Sequence, residues 1–287
     1  MTGALLADLV DDAGLFPPTA LPMAAALERH RADLAAGDPM LTHRFLCPAA
    51  RLGELRGLLT ADDRIRVGVI LSDGAPHDCA AVVDADPRLR LALIETPCTL
   101  AAVDRVVYAA TAPGVPVYVE AADRDEGPRL AAALAGTSAG LKIRCGGVRA
   151  ELFPSAELIA AALVAAAEAG VPVKATAGLH HAVRHTDPAT GFLHHGYLNL
   201  VVAAARAAAG AGAAEVAAAV LVTDGEALAS EAAALGPDAT AATRSLFVAY
   251  GSCSTATPVD EAAALGLSPA VGAAAHGRPR TIDPASL

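Results

Sequence analysis

The sequence has no tryptophan, and only four tyrosines and five phenylalanines in 287 residues. Its 54% hydrophobic content therefore does not describe a large aromatic core, because 73 of the residues are alanine and much of the apparent hydrophobicity is helix propensity. Lysine is scarcer still. Of 21 basic residues, 19 are arginine and two, Lys142 and Lys174, are lysine. The five cysteines form an odd set without a CxxC spacing, which excludes a zinc ribbon and a disulfide framework and fits reduced thiols. The N-terminal stretch Met1–Asp12 has no basic region and carries three aspartates where a secretory signal would be apolar, so a cytoplasmic location is expected. Leu198–Thr223 is the longest apolar stretch, but Arg206, Glu215, Gly210 and Gly212 interrupt it. A buried or amphipathic helix pair suits it better than a membrane span. The formal charge of −10 disfavours nucleic acid and anionic membranes as partners, and any anionic ligand must be met by a local cluster of cations.

What is present is an alternation of short apolar runs with Ala/Leu-rich helical runs. Strands are expected at Arg44–Pro48, Arg66–Leu71, Leu91–Thr96, Val115–Ala121, Gly140–Cys145, Val171–Ala175 and Ser245–Tyr250. Helices are expected between them, the best bounded being Ser155–Ala169, with a serine N-cap, Glu157 in the first turn and Gly170 at the C-terminus. Continuous apolar strands are what a parallel sheet covered by helices requires. The class is α/β, and the length suits a (β/α)8 TIM-barrel-like domain with one irregular unit. An eighth strand is expected in the interval Ala213–Leu235. A doubly wound sheet is the competing topology, but no GxGxxG follows the first strand. A single domain over residues 1–287 is expected, with a leader and helix over 1–40 and a loose tail over 278–287.

In a chain that uses arginine almost everywhere, a retained lysine suggests a task that guanidinium cannot perform. An amine can lose its proton at accessible pH and can form a Schiff base with a carbonyl. Both lysines fall within expected strands. Lys142 shares a face with Arg144, and Lys174 shares one with Thr176 and Gly178. If both faces point inward on neighbouring barrel strands, the two ammonium groups approach each other at the C-terminal mouth and each lowers the other's pKa. The competing reading pairs them with Glu95 or Glu120, or with an anionic ligand. Each of those glutamates ends a strand, where it could shuttle protons or ligate a divalent metal.

Gly140-Leu-Lys142-Ile-Arg-Cys-Gly146-Gly147, a helix, and then Gly170-Val-Pro-Val-Lys174-Ala-Thr-Ala-Gly178 together resemble the strand-lysine, helix, strand-lysine-glycine pattern of the deoxyribose-phosphate aldolase family of class I aldolases. The match covers about 40 residues. It implies a Schiff-base lysine at Lys142, with Lys174 tuning its pKa and an acidic partner at Glu95 or Glu120. The sequence departs from that family after each lysine, with Ile143-Arg144-Cys145 and Ala177-Gly178-Leu179-His180-His181, so substrate identity does not transfer. The Ile-Glu95-Thr run is also similar to one in metal-dependent HpcH-type aldolases, whose glutamate binds the ion. The chain as a whole, including Phe247–Ser254, resembles a group of bacterial proteins that brings no chemistry with it.

Five of the nine histidines lie between His180 and His195. Directly after the Lys174 strand they form a candidate active-site loop, with His180 and His181 as proton-transfer groups. Asn199, on the following helix beside Tyr197, is a candidate for orienting substrate. Arg144, the glycine turns Gly146-Gly147 and Gly178, and Gly251, Ser252 and Ser254 after the last strand are candidate anion-binding groups. The favoured expectation is an aldolase-like lyase acting on a small anionic carbonyl metabolite, phosphorylated or not, with no cofactor. Two alternatives stand beside it: a metal-dependent barrel lyase or hydrolase using Glu95, Glu120 and the loop histidines with a divalent ion, and a non-catalytic metabolite-binding barrel. All three are compatible with a homo-oligomer.

Overall fold

The computed structural model describes residues 3–72, 79–110 and 114–267. Eight parallel strands close into a barrel: β1 (Val10–Asp12), β2 (Leu41–Pro48), β3 (Ile65–Ile70), β4 (Leu89–Cys98), β5 (Val117–Ala121), β6 (Ala139–Arg144), β7 (Val173–Thr176) and, after a two-stranded hairpin of β8 (His185–Thr186) and β9 (Leu193–His194), β10 (Phe247–Ser252). Each barrel strand pairs with its neighbour in sequence, and β1 closes the ring against β10. The (β/α)8 architecture expected from the alternation is therefore present. The irregular unit lies between β7 and β10, where the hairpin and four helices replace a single crossover.

The expected position of the eighth strand was in error. Ala213–Leu235 forms two helices, Ala213–Leu221 and Gly225–Ala233, and the remaining strand is Val10–Asp12, inside the stretch read as a leader. Two of its three residues are aspartates, which disguise a fully buried strand as a polar turn. The tail expected over 278–287 lies outside the described residues.

Outward-facing strand residues such as Val67, Val69, Val119 and Leu141 pack beneath the helices and are fully buried. The Ala156–Ala169 helix is capped as its sequence predicts, with the Ser155 hydroxyl accepting from Leu158 N and Gly170 in the left-handed conformation. It buries Ile159, Ala160, Leu163 and Ala166. Small side chains on the helices let them approach the sheet closely, which is where the alanine content is used. Inside the barrel, Leu46, Leu93 and Tyr118 form a separate apolar layer. Gly140 makes room for it: a Cβ there would stand 2.6 Å from the Tyr118 ring and 2.7 Å from the Pro172 carbonyl oxygen. Arg244 closes the floor by donating to the carbonyls of Ala7, Asp8, Phe247 and Val248. Polar chemistry is thus left to the opposite, C-terminal end.

Because the Pro172 carbonyl belongs to the backbone and cannot swing aside, Gly140→Ala is expected to lower the unfolding free energy by ~1–3 kcal/mol through overpacking. Urea denaturation of the two proteins measures it.

Candidate active site

Strand register brings the ionisable residues into one layer. Glu120 on β5 lies opposite Lys142 on β6, which lies opposite Lys174 on β7. Glu95 reaches across from β4 and Asp11 from β1. The result is a continuous alternation of charge. Arg44 Nε stands 2.6 Å from Asp11 Oδ1, and Asp11 Oδ2 lies 2.8 Å from Lys174 Nζ. Lys174 Nζ is also 2.7 Å from Glu95 Oε1, and Glu95 Oε2 is 2.7 Å from Lys142 Nζ. Lys142 Nζ is then 2.9 Å from Glu120 Oε2, whose other oxygen accepts from Arg144 Nε at 2.6 Å. Asp11, Glu95 and Lys174 are fully buried. A lone charge at such a position would carry a desolvation cost of several kcal/mol, so each depends on the opposite charges beside it.

The titration directions follow from this packing. Burial pushes the Asp11 carboxyl up, but Lys174 and Arg44 outweigh it and hold the group down at about 2. Burial likewise opposes ionisation of Glu95, and Lys142 and Lys174 together bring its pKa to about 2. Burial would deprotonate Lys174, yet Asp11 and Glu95 prevail and raise its pKa above the ordinary lysine value. Lys174 is therefore not depressed by the neighbouring ammonium as proximity alone suggests, because the Glu95 carboxylate is interposed between the two.

The lysines differ in access. Lys142 and Arg144 line a cavity of about 230 Å³ at the barrel mouth, together with Thr176, His180, Gly251 and Cys253. Lys174, opposite it in the sheet register, does not line that cavity and has no exposed surface. His180 is carried over the mouth by the turn at Ala177 and Gly178, both with positive φ (63° and 72°), a conformation that is strained for alanine. Its Nδ1 lies 3.4 Å from Ser252 Oγ and 3.3 Å from Cys253 Sγ. Burial, followed by neighbouring His194, His181 and His185, lowers its pKa to about 4, so the imidazole is neutral at pH 7.

Other sequence candidates have different places. His181 faces outward, its Nδ1 2.6 Å from Glu261 Oε1. The substrate-orienting role expected for Asn199 does not fit its surroundings: it is fully buried, its amide nitrogen donates to Ala219 and Val222 carbonyls, and its oxygen accepts from Arg184 N. Gly146 and Gly178 allow two loops to touch, since a Cβ on Gly146 would stand 3.1 Å from Gly178 Cα, and Gly147 packs on Leu152. Ser252 Oγ accepts from Ser254 N, while Ser254 Oγ accepts from Thr257 N. His181 and His185 meet as rings, centroids 4.6 Å apart. Among the described residues no three His, Cys, Asp or Glu side chains come together as a metal site. Cys47, Cys98, Cys145 and Cys253 are free.

Sequence reasoning missed Asp11, Arg44, Thr176 as a cavity wall and the approach of Cys253 to His180. The count of seven readable strands was the available signal for Asp11, since closing an eight-stranded ring calls for one more. In comparisons with known proteins, no family model and no curated protein matches the chain.

The sign of the acid dependence is fixed by Asp11 and Glu95. Their carboxyls titrate near pH 4 when unfolded and at about 2 when folded, so their contribution is complete above about pH 5 and is lost as the pH falls from about 4 through 2. Lys174 runs the other way, its contribution being present below the ordinary lysine pKa and lost as pH rises through its raised value. Urea unfolding across pH 2–7 is expected to show the acid slope, and Glu95→Gln is expected to cost ~3–5 kcal/mol at pH 7 by stranding buried ammonium charge.

Proposed function

We propose that the chain is a Schiff-base lyase of the class I aldolase kind, acting on a small anionic carbonyl compound through Lys142. The observation that carries this reading is the unequal access of the two lysines, one lining the mouth cavity and the other sealed away from it, with one carboxylate touching both. This is the division of labour implied by the resemblance to the deoxyribose-phosphate aldolase family. Of the two candidate acidic partners, Glu95 suits it better, because it reaches both amines.

The residues can carry the steps as follows. A proton passes from the Lys142 ammonium to Glu120, 2.9 Å away, leaving a neutral amine. The amine nitrogen attacks the substrate carbonyl carbon, and the carbinolamine loses water with a proton returned by the same carboxylate, giving an iminium. Neutral His180 removes the proton of the substrate's β-hydroxyl. The carbon–carbon bond breaks, its electron pair moves to the iminium as an enamine, and an aldehyde leaves. Protonation of the enamine by the imidazolium, followed by hydrolysis, restores the amine. Glu95 and Glu120 stabilise the iminium charge electrostatically. Lys174, which touches no substrate, is a positioning residue that keeps Glu95 ionised and aimed. No cofactor enters this scheme. The metal-dependent alternative has less support, since the oxygens of Glu95 and Glu120 already lie against cations.

Borohydride reduction in the presence of keto and aldehyde compounds, with peptide mass mapping, tests the reading. The expected result is a reduced adduct on Lys142, absent from Lys174 and lost in Lys142→Arg. Absence of any adduct, with turnover retained by Lys142→Arg, would overturn it. Lys174→Met is expected to lower kcat by at least ~100-fold with a smaller change in KM, as befits a group that acts on the reacting centre through Glu95.

A further inference from the structure

We infer that the mouth cavity selects an unphosphorylated 2-oxo monocarboxylate with a short apolar body, its carboxylate on Arg144 and its carbonyl at Lys142. The inference rests on the Schiff-base reading for the role of the carbonyl, but its choice of anion comes from charge and packing alone.

Charge is the first constraint. Among the described residues the ion-pair chain contains four cations, Arg44, Lys174, Lys142 and Arg144, and three carboxylates, Asp11, Glu95 and Glu120. The surplus is one positive charge, and it lies at the open end, where Arg144 is 42% exposed. An iminium at Lys142 keeps that surplus, and a carboxylate neutralises it. A phosphate dianion would exceed that surplus and leave one uncompensated negative charge beside Glu120.

Geometry is the second. Lys142 and Arg144 stand two residues apart on one strand and face the same cavity, so groups on adjacent substrate carbons can meet them together. Arg144 binds Glu120 through Nε, and among the described residues its terminal nitrogens donate no hydrogen bond, leaving a two-pronged edge suited to a carboxylate.

The third constraint is what the loops withhold. A phosphate cradle at the end of a barrel is built from free backbone amides. Here the turn after β10 caps itself, with Ser254 N on Ser252 Oγ and Thr257 N on Ser254 Oγ. The rest of the wall is apolar, including Phe16, Leu46 and Ile70. The cavity, about 230 Å³, is small and so suits a short substrate body.

Calorimetric titration of the full chain with 3-methylbutanoate and with isobutyl phosphate reads the anion preference without requiring any covalent step. The carboxylate is expected to bind at least tenfold more tightly. Arg144→Gln should remove that difference, and Arg144→Lys, which keeps the charge without the fork, should retain part of it. Equal or tighter binding of the phosphate, no binding of either, or an unchanged preference in Arg144→Gln would overturn the proposal. Borohydride trapping with 3-methyl-2-oxobutanoate and glyceraldehyde 3-phosphate separates the two readings. A carboxylate preference without an adduct would defeat the Schiff base and leave the anion assignment standing, whereas stronger trapping of the phosphate would do the reverse.

Discussion

The carboxylate of Glu95 is shared between two ammonium groups, and the polar half of the barrel interior is organised around that sharing. Each oxygen serves a different lysine, so removing Glu95 would leave both cations facing each other in a medium that cannot screen them. Asp11 and Glu120 extend the alternation to Arg44 and Arg144, where it reaches the surface. Such a chain contributes little net stability relative to an apolar filling of equal volume, because desolvation offsets most of the Coulomb gain. Its presence in a barrel that could have been filled with Val and Leu therefore argues for chemistry over packing.

The sheet makes this arrangement possible. Neighbouring strands in register put Glu120, Lys142 and Lys174 side by side on one inner level, and the Tyr118 layer beneath supplies a dry floor. Helices touch only the outer face of the strands, so alanines can accumulate there without consequence for the site. The loops after β6 and β7, held together at Gly146 and Gly178, wall the mouth and hold His180 over it.

Seven of the eight barrel strands are readable in the sequence, because each is an apolar run bounded by turn residues, and the fold class follows from their alternation with helices. Val10–Asp12 is not, because it has three residues of which two are charged, and nothing local announces that Lys174, 163 residues further on, neutralises Asp11. Lys142, Lys174, Glu95 and Glu120 are legible from strand parity and from the rarity of lysine. Arg44 is hidden among 19 arginines. Asn199 misleads because a polar residue beside an active-site loop looks the same whether it binds substrate or, as here, ties the ends of helices together. The expected depression of the Lys174 pKa fails for a related reason: distance between like charges is readable from a fold, but the anion between them is not.

The short strand β1 has a consequence for how the site comes into being. Its sheet neighbours are β2 and β10, so the seam of the barrel joins the earliest part of the chain to residues 247–252. During synthesis Asp11 emerges long before β10, the strand that pairs with β1 and lies between it and the Lys174 strand. A growing chain can stack most of its βα units, but it holds an unclosed sheet with an incomplete line of charges until β10 arrives. Closure of the ring and completion of the charge alternation are then a single event, and an incomplete chain lacks both the enclosure and the paired carboxylates that the lysines need.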